Sequence, residues 1–187
     1  MAHPLRRTAG SHAVRLAAAC GCTLALGLLA LALSSCNRPP AATGNDVLVH
    51  VDRIVIDRDD TPVVVLEEEN GPRWLPIWIG PAEAHSIALQ IERRSSPRPN
   101  SHDLTRELIH GLDGSVERVV VTELRDGTYY AVLDILHGDQ RLELDARPSD
   151  AIAIGLRDGA PIFVRDDLFL QSDGLDPDEP TSPRREI

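Results

Sequence analysis

The sequence predicts an α+β fold: a single domain with a mixed, largely antiparallel sheet and about three helices. Three features carry this expectation. Val/Ile-rich runs with strand-like alternation are cut by turn dipeptides, and apolar residues recur at helical spacing in separate segments. The two kinds of segment follow one another as βββααβββαβ, an order that sets helices against a sheet. Beyond an N-terminal leader of 35 residues, 152 of the 187 remain, enough for one core rather than two.

The leader comes first in the chain and bears on compartment. Arg6, Arg7 and Arg15, with no acid, precede the uncharged stretch Leu16 to Leu33. A basic segment, an apolar segment and small residues after it describe a secretory signal over 1–35, although 18 apolar residues also reach the lower limit for a membrane-spanning helix. Leu33-Ser34-Ser35-Cys36 resembles the lipobox of bacterial lipoproteins. That resemblance implies acylation of Cys36 and attachment to a membrane of the cell envelope, each buried CH2 contributing about 0.8 kcal/mol. Cys20 and Cys22 fall in the leader and no cysteine follows Cys36, so the domain holds no disulfide. Residues 36–46, rich in Pro, Gly and Ala, read as a flexible tether reaching roughly 30 Å when extended.

The elements of the domain, 47–171, then follow in order. Val47 to Ile56, Val63 to Leu66 and Trp74 to Ile79 read as strands, split by Asp59-Asp60-Thr61-Pro62 and Asn70-Gly71-Pro72. Trp74 and Trp78, four apart on a strand, share a face. Gly80-Pro81 opens a helix with Ala84, Ile87, Ala88 and Ile91 on its apolar side. Ser101 reads as the N-cap of a second helix with Leu104, Leu108, Ile109 and Leu112 expected inward. Val116 to Leu124, Thr128 to Leu136 and Arg141 to Asp145 read as strands joined by Asp126-Gly127 and Gly138-Asp139. A third helix from about Pro148 to Arg157 stops at Gly159, and Pro161 to Val164 returns as a strand. Residues 172–187 are polar and Pro-rich and read as a disordered tail.

Charge narrows the function. Three of the 19 basic residues lie in the leader, so 16 arginines face 29 acids in the remainder, a net −13. A generic polyanion-coating protein is excluded, because such binding rests on Lys/Arg neutralising phosphates. The local exception is Arg93 to Arg106, with four arginines and one aspartate.

Three separated motifs carry a resemblance: Leu75-Pro76-Ile77-Trp78-Ile79-Gly80 with Glu83-Ala84, Arg98-Pro99-Asn100-Ser101-His102-Asp103-Leu104, and Asp145-Ala146-Arg147-Pro148-Ser149-Asp150-Ala151-Ile152-Ala153. Together they resemble the bifunctional nuclease domain family over about residues 47–170. The resemblance implies a nuclease acting on DNA and RNA. Asn100-Ser101 departs from the family, which has an apolar residue and Thr there, and a lipoprotein signal is unusual for it.

Phosphodiester hydrolysis needs an activated water and neutralised phosphate charge, commonly supplied by Mg²⁺ or Mn²⁺ on carboxylates. Asp145 ends a strand and Asp150 lies in the first turn of the next helix, where a partial positive charge favours an anion. Glu83, Asp145 and Asp150 are therefore the candidate metal ligands. His102, Asp103 and Asp150 are the candidate catalytic groups, with His102 suited to proton transfer. Arg147 and Arg98 are the candidate phosphate contacts. Each also has a structural reading: Asp150 and Glu83 as acids complementing helix dipoles, His102 as a capping-region histidine, Arg147 as the partner of a nearby acid. His102 and His110 are about 12 Å apart along a helix axis and no HxxxH or CxxC pair occurs, so zinc is not expected; nor is an organic cofactor. Expected partners are nucleic acid, a membrane through the lipid and, through an exposed sheet edge, a homo-oligomer. The alternative function is a non-catalytic envelope lipoprotein that uses the same fold for binding or assembly.

Overall fold

The computed structural model describes residues 44–171. The leader, Cys36 and the tail from 172 lie outside the described residues. The elements run β1 (Asp46–Ile56), β2 (Pro62–Glu68), β3 (Trp74–Trp78), α1 (Pro81–Ile91), α2 (Ser101–Gly111), β4 (Gly114–Arg125), β5 (Thr128–His137), β6 (Gln140–Ala146), α3 (Pro148–Asp158), β7 (Ile162–Arg165) and α4 (Asp166–Gln171). The seven strands form one sheet in the order β3-β2-β1-β7-β4-β5-β6. Only β4 and β7 pair in parallel. The fold is thus α+β with a mixed sheet, as the sequence predicts.

Local chemistry accounts for the joints. Asp126 and Gly127 both take positive φ, 51° and 72°, the two-residue turn whose twist matches that of the flanking strands β4 and β5. Gly159 caps α3 in the left-handed region with φ 67°. From edge strand β6, α3 crosses the sheet and feeds β7 into its centre, and residues Ala151 to Gly155 are buried on the way. A Cβ on Gly155 would stand 2.6 Å from Cγ2 of Val119, so glycine allows α3 to lie directly on β4.

The main core joins Val64, Leu66, Leu75, Val119, Val121, Leu133 and Val164 of the sheet to Ile87 and Ile152 of α1 and α3. Strand alternation puts Val63, Val65, Val120 and Phe163, also buried, on the opposite face. That face carries a buried ion pair, Arg118 Nε to Asp134 Oδ2 at 2.6 Å, with Asp46 at 3.7 Å. Trp74 and Trp78 are half-buried, and the Trp78 indole N–H donates to Asp57 at 2.8 Å.

Three details differ from the sequence reading. The N-cap of α2 is Asn100, not Ser101: its side chain accepts from the His102 and Asp103 N–H groups while Asp103 accepts from the Asn100 N–H. The leucine face of α2 points outward, with Leu104, Leu108 and Leu112 at 57%, 57% and 70% exposure. The inward stripe is polar instead, because His102, Asp103, Arg106 and His110 are drawn to partners on α1 and α3; of the expected apolar face only Ile109 packs on the core. A fourth, six-residue helix, α4, follows β7 and buries Leu168 and Phe169. Among the described residues no helix is long and apolar enough to cross a membrane.

Candidate functional site

The first turns of three helices supply most of the predicted site. Gly80 and Pro81 start α1 and place Glu83 in its first turn. Asn100 starts α2 and sets His102 and Asp103, and Arg147, the N-cap residue of α3, precedes Asp150 by three positions. Arg147 joins two of these ends: its Nε donates to Asp150 Oδ2 at 2.7 Å, and its Nη2 donates to Asp150 Oδ1 at 2.9 Å and to Glu83 Oε1 at 2.7 Å. The arginine side chain is 66% exposed, whereas Glu83 and Asp150 are 16% and 28% exposed, so the guanidinium forms the outer surface of the cluster. Burial pushes the Asp150 carboxyl up, but hydrogen bonds and charge from Arg147 and His102 together hold it below the ordinary value of 3.8. The bonds to Asp150 and Glu83 raise Arg147 further above its already high value.

His102 is buried and both of its ring nitrogens are engaged. Nδ1 lies 2.8 Å from Ser86 Oγ and Nε2 lies 3.1 Å from Asp150 Oδ1. Ser86 is itself buried, and its Oγ accepts from Asn100 Nδ2 at 3.1 Å and from Arg157 Nη2 at 2.9 Å. With both lone pairs used, the serine hydroxyl has its proton to give, and the acceptor in reach is His102 Nδ1. The network thereby assigns the neutral ring its proton on Nε2, where it donates to Asp150. His102 thus contacts Asp150 from behind, and its unprotonated nitrogen faces a serine rather than the surface.

Asp103 is likewise committed to structure. It closes the α2 cap and accepts from Arg157 Nε at 2.6 Å, while Arg157 also donates to the Ala153 carbonyl. Burial raises the Asp103 carboxyl, but the Asn100 N–H and Arg157 outweigh it and leave it lowered. Asp145 is exposed on β6 and makes no hydrogen bond or ion pair with Glu83, Arg147 or Asp150. Arg98 is exposed in the α1–α2 loop and joins none of these bonds.

The expected metal ligands therefore do not form a three-carboxylate cage: Glu83 and Asp150 meet on a guanidinium, and Asp145 stands apart. Among the described residues, the three potential ligands whose donor atoms lie within 4.8 Å of one another are His50, Asp52 and Glu67, on β1 and β2. Ser86 and Arg157 join the His102 network without having been singled out in the sequence, and Asn100, noted there only as a departure from the family, caps α2. Ser86 gave no clear signal, since Glu83, His85 and Gln90 share its helix.

Comparison with known proteins gives the family. A family model described as the bifunctional nuclease domain matches residues 64–175, which contain every member of the cluster. An uncharacterized protein of Mycobacterium tuberculosis is 47% identical over 118 residues, 63% of this chain and 70% of its own length. Bifunctional nuclease 1 of Oryza sativa is 30% identical over 118 residues, 60% of this chain and 36% of the rice protein. With the family model spanning more than half of its residues and the Arg147–Asp150 motif inside that span, the chain belongs to the bifunctional nuclease domain family.

Proposed function

We propose that this chain is a nuclease that hydrolyses phosphodiesters of DNA and RNA at the N-terminal end of α3, and that a lipid on Cys36 holds it at a membrane. The observation that supports this reading is the exposed Arg147 fork, seated on two carboxylates at a helix N-terminus. A phosphate can take the same two-point geometry from a guanidinium, and the N–H groups and partial positive charge of the first helical turn favour the same anion. Phosphate arriving on Arg147 leaves Asp150, ionised near neutral pH and oriented by His102, beside the substrate to accept a proton from the attacking water. Arg98, exposed in the neighbouring loop, is assigned to the backbone farther along the strand. A Mg²⁺ or Mn²⁺ ion would be held by Glu83 and Asp150, whose two negative charges the single Arg147 cation only half offsets, and would supply further charge neutralisation at the phosphate.

The test is incubation of the purified chain with single- and double-stranded DNA and RNA, in Mg²⁺ or Mn²⁺ and again in EDTA. Cleavage that EDTA removes is the expected result. A folded chain that binds these polymers without cleaving them would instead favour the non-catalytic envelope protein. For the anchor, Cys36→Ser is expected to abolish incorporation of labelled fatty acid in a bacterial host and to move the protein out of the membrane fraction. Unchanged labelling and fractionation would contradict it.

A further inference from the structure

The two edges of the sheet are guarded differently. Edge β3 is five residues long and has Pro76 at its centre, which removes a donor and blocks further pairing. Edge β6 is seven residues long, pairs with β5 in unbroken register, contains no proline and is exposed along almost its whole length. Its pairing partners place Leu142 and Leu144 on the helix-bearing face, opposite Ile135 and Leu133, yet among the described residues no helix covers them and they are 44% and 45% exposed. The leucine stripe of α2 is also turned outward. Ile109 of that helix packs against the same spot as Ile135, since a Cβ on Gly114 would touch both at 3.2 and 3.4 Å. Leucines are thus left bare on an open strand as well as on α2, an arrangement uncommon on a monomer surface.

We propose that a second copy of this chain pairs with β6, strand against strand and antiparallel, about a twofold axis at Glu143. Self-complementarity of the strand selects the occupant and the register: its two leucines pair across the axis, and Arg141, which also holds Glu117 at 2.6 Å, meets an acid. Centring on Glu143 uses all seven residues, sets Leu142 opposite Leu144 of the partner and Arg141 opposite Asp145 of the partner, and repeats both pairs by symmetry. Glu143 meets its own counterpart in the middle. Glu143 lines a cleft with Arg118 and Arg165, but their charges are shared with Asp134 and Asp46, so the like charges at the axis are a cost that the flanking pairs offset. The pairing gives Asp145, two residues from Arg147, a partner that it lacks among the described residues, and extends the sheet from seven strands to fourteen. It does not depend on the nuclease reading, and the two stand or fall separately.

Disulfide trapping tests the register directly. Residues opposite one another across antiparallel strands have Cα atoms about 5 Å apart, within disulfide range. The full chain is prepared with Cys20→Ser, Cys22→Ser and Cys36→Ser, so that an added thiol stands alone. With Glu143→Cys, mild oxidation is expected to give a covalent dimer on a non-reducing gel; with His137→Cys, outside the paired region, it is expected to give none. Leu142→Lys, at an exposed position, is expected to convert the dimer seen in sedimentation equilibrium to monomer with an unchanged circular dichroism spectrum. A parent that sediments as a monomer at about 100 µM overturns the proposal. So does a dimeric parent whose Glu143→Cys variant does not cross-link, because its interface then lies elsewhere.

Discussion

Asp150→Asn will lower the rate of phosphodiester cleavage by about 10²- to 10³-fold and leave the fold standing. Asparagine keeps the size of the side chain and one oxygen for the His102 N–H, but it removes the charge that Arg147 grips through two bonds of 2.7 and 2.9 Å. It also removes the acceptor for the proton of water. Because the Asp150 carboxyl is held below 3.8 despite its burial, the parent keeps this group ionised from neutral pH down to about pH 4. Its rate profile should therefore show no acid limb from Asp150 above that pH. The stability sign runs the same way: a carboxyl lowered in the folded state stabilises the protein above the unfolded value, and the contribution is lost as pH falls through the folded value. Thermal melts between pH 3 and 8 should show that acid loss in the parent and less of it in the variant. A variant that cleaves at the parental rate would remove Asp150 from the chemistry.

Ser86→Ala will have the largest effect on stability, about 3 kcal/mol, which is a fall in Tm on the order of 10 °C for a domain of this size. The hydroxyl is buried and stands at the meeting point of His102 Nδ1, Asn100 Nδ2 and Arg157 Nη2, at 2.8, 3.1 and 2.9 Å. Alanine leaves no room for a full replacement and strips one bond from each of these three groups. A buried polar group without a partner costs more than the average hydrogen bond contributes, so the cost accumulates where several groups share one atom. Calorimetry of parent and variant checks the value. A loss under about 1 kcal/mol would mean that the network tolerates the gap and that Ser86 does not organise it.

How far the sequence could be read depends on which forces leave a pattern in it. Strand alternation and turn dipeptides place all seven strands, because each side chain must choose a face and each tight turn needs positive φ at residues such as Asp126 and Gly127. The strand-to-helix step at Arg147-Pro148-Ser149-Asp150 is legible for a similar reason. α2 was misread: periodicity assumes that the apolar stripe of a helix faces its own core, whereas here four polar residues hold the helix down and the leucines face away. Asp103 and His102 suffer the same ambiguity, since an acid or histidine in a first turn reads alike as catalyst or cap. α4 escaped because six residues are too few for periodicity, and the burial of Leu168 and Phe169 is decided by tertiary packing.

The account rests on Arg147 and Asp150 forming one phosphodiester site, and its most direct test is the initial rate of single-stranded nucleic acid cleavage by the parent beside Arg147→Ala at equal folded concentration. Removing the guanidinium leaves Glu83 and Asp150, 16% and 28% exposed, without their shared cation, so some fall in Tm is expected and the comparison at equal folded concentration separates it from the rate. The rate at low substrate should drop by about 10²-fold, as expected when a charged phosphate contact is lost. Equal rates from the two proteins would contradict the account.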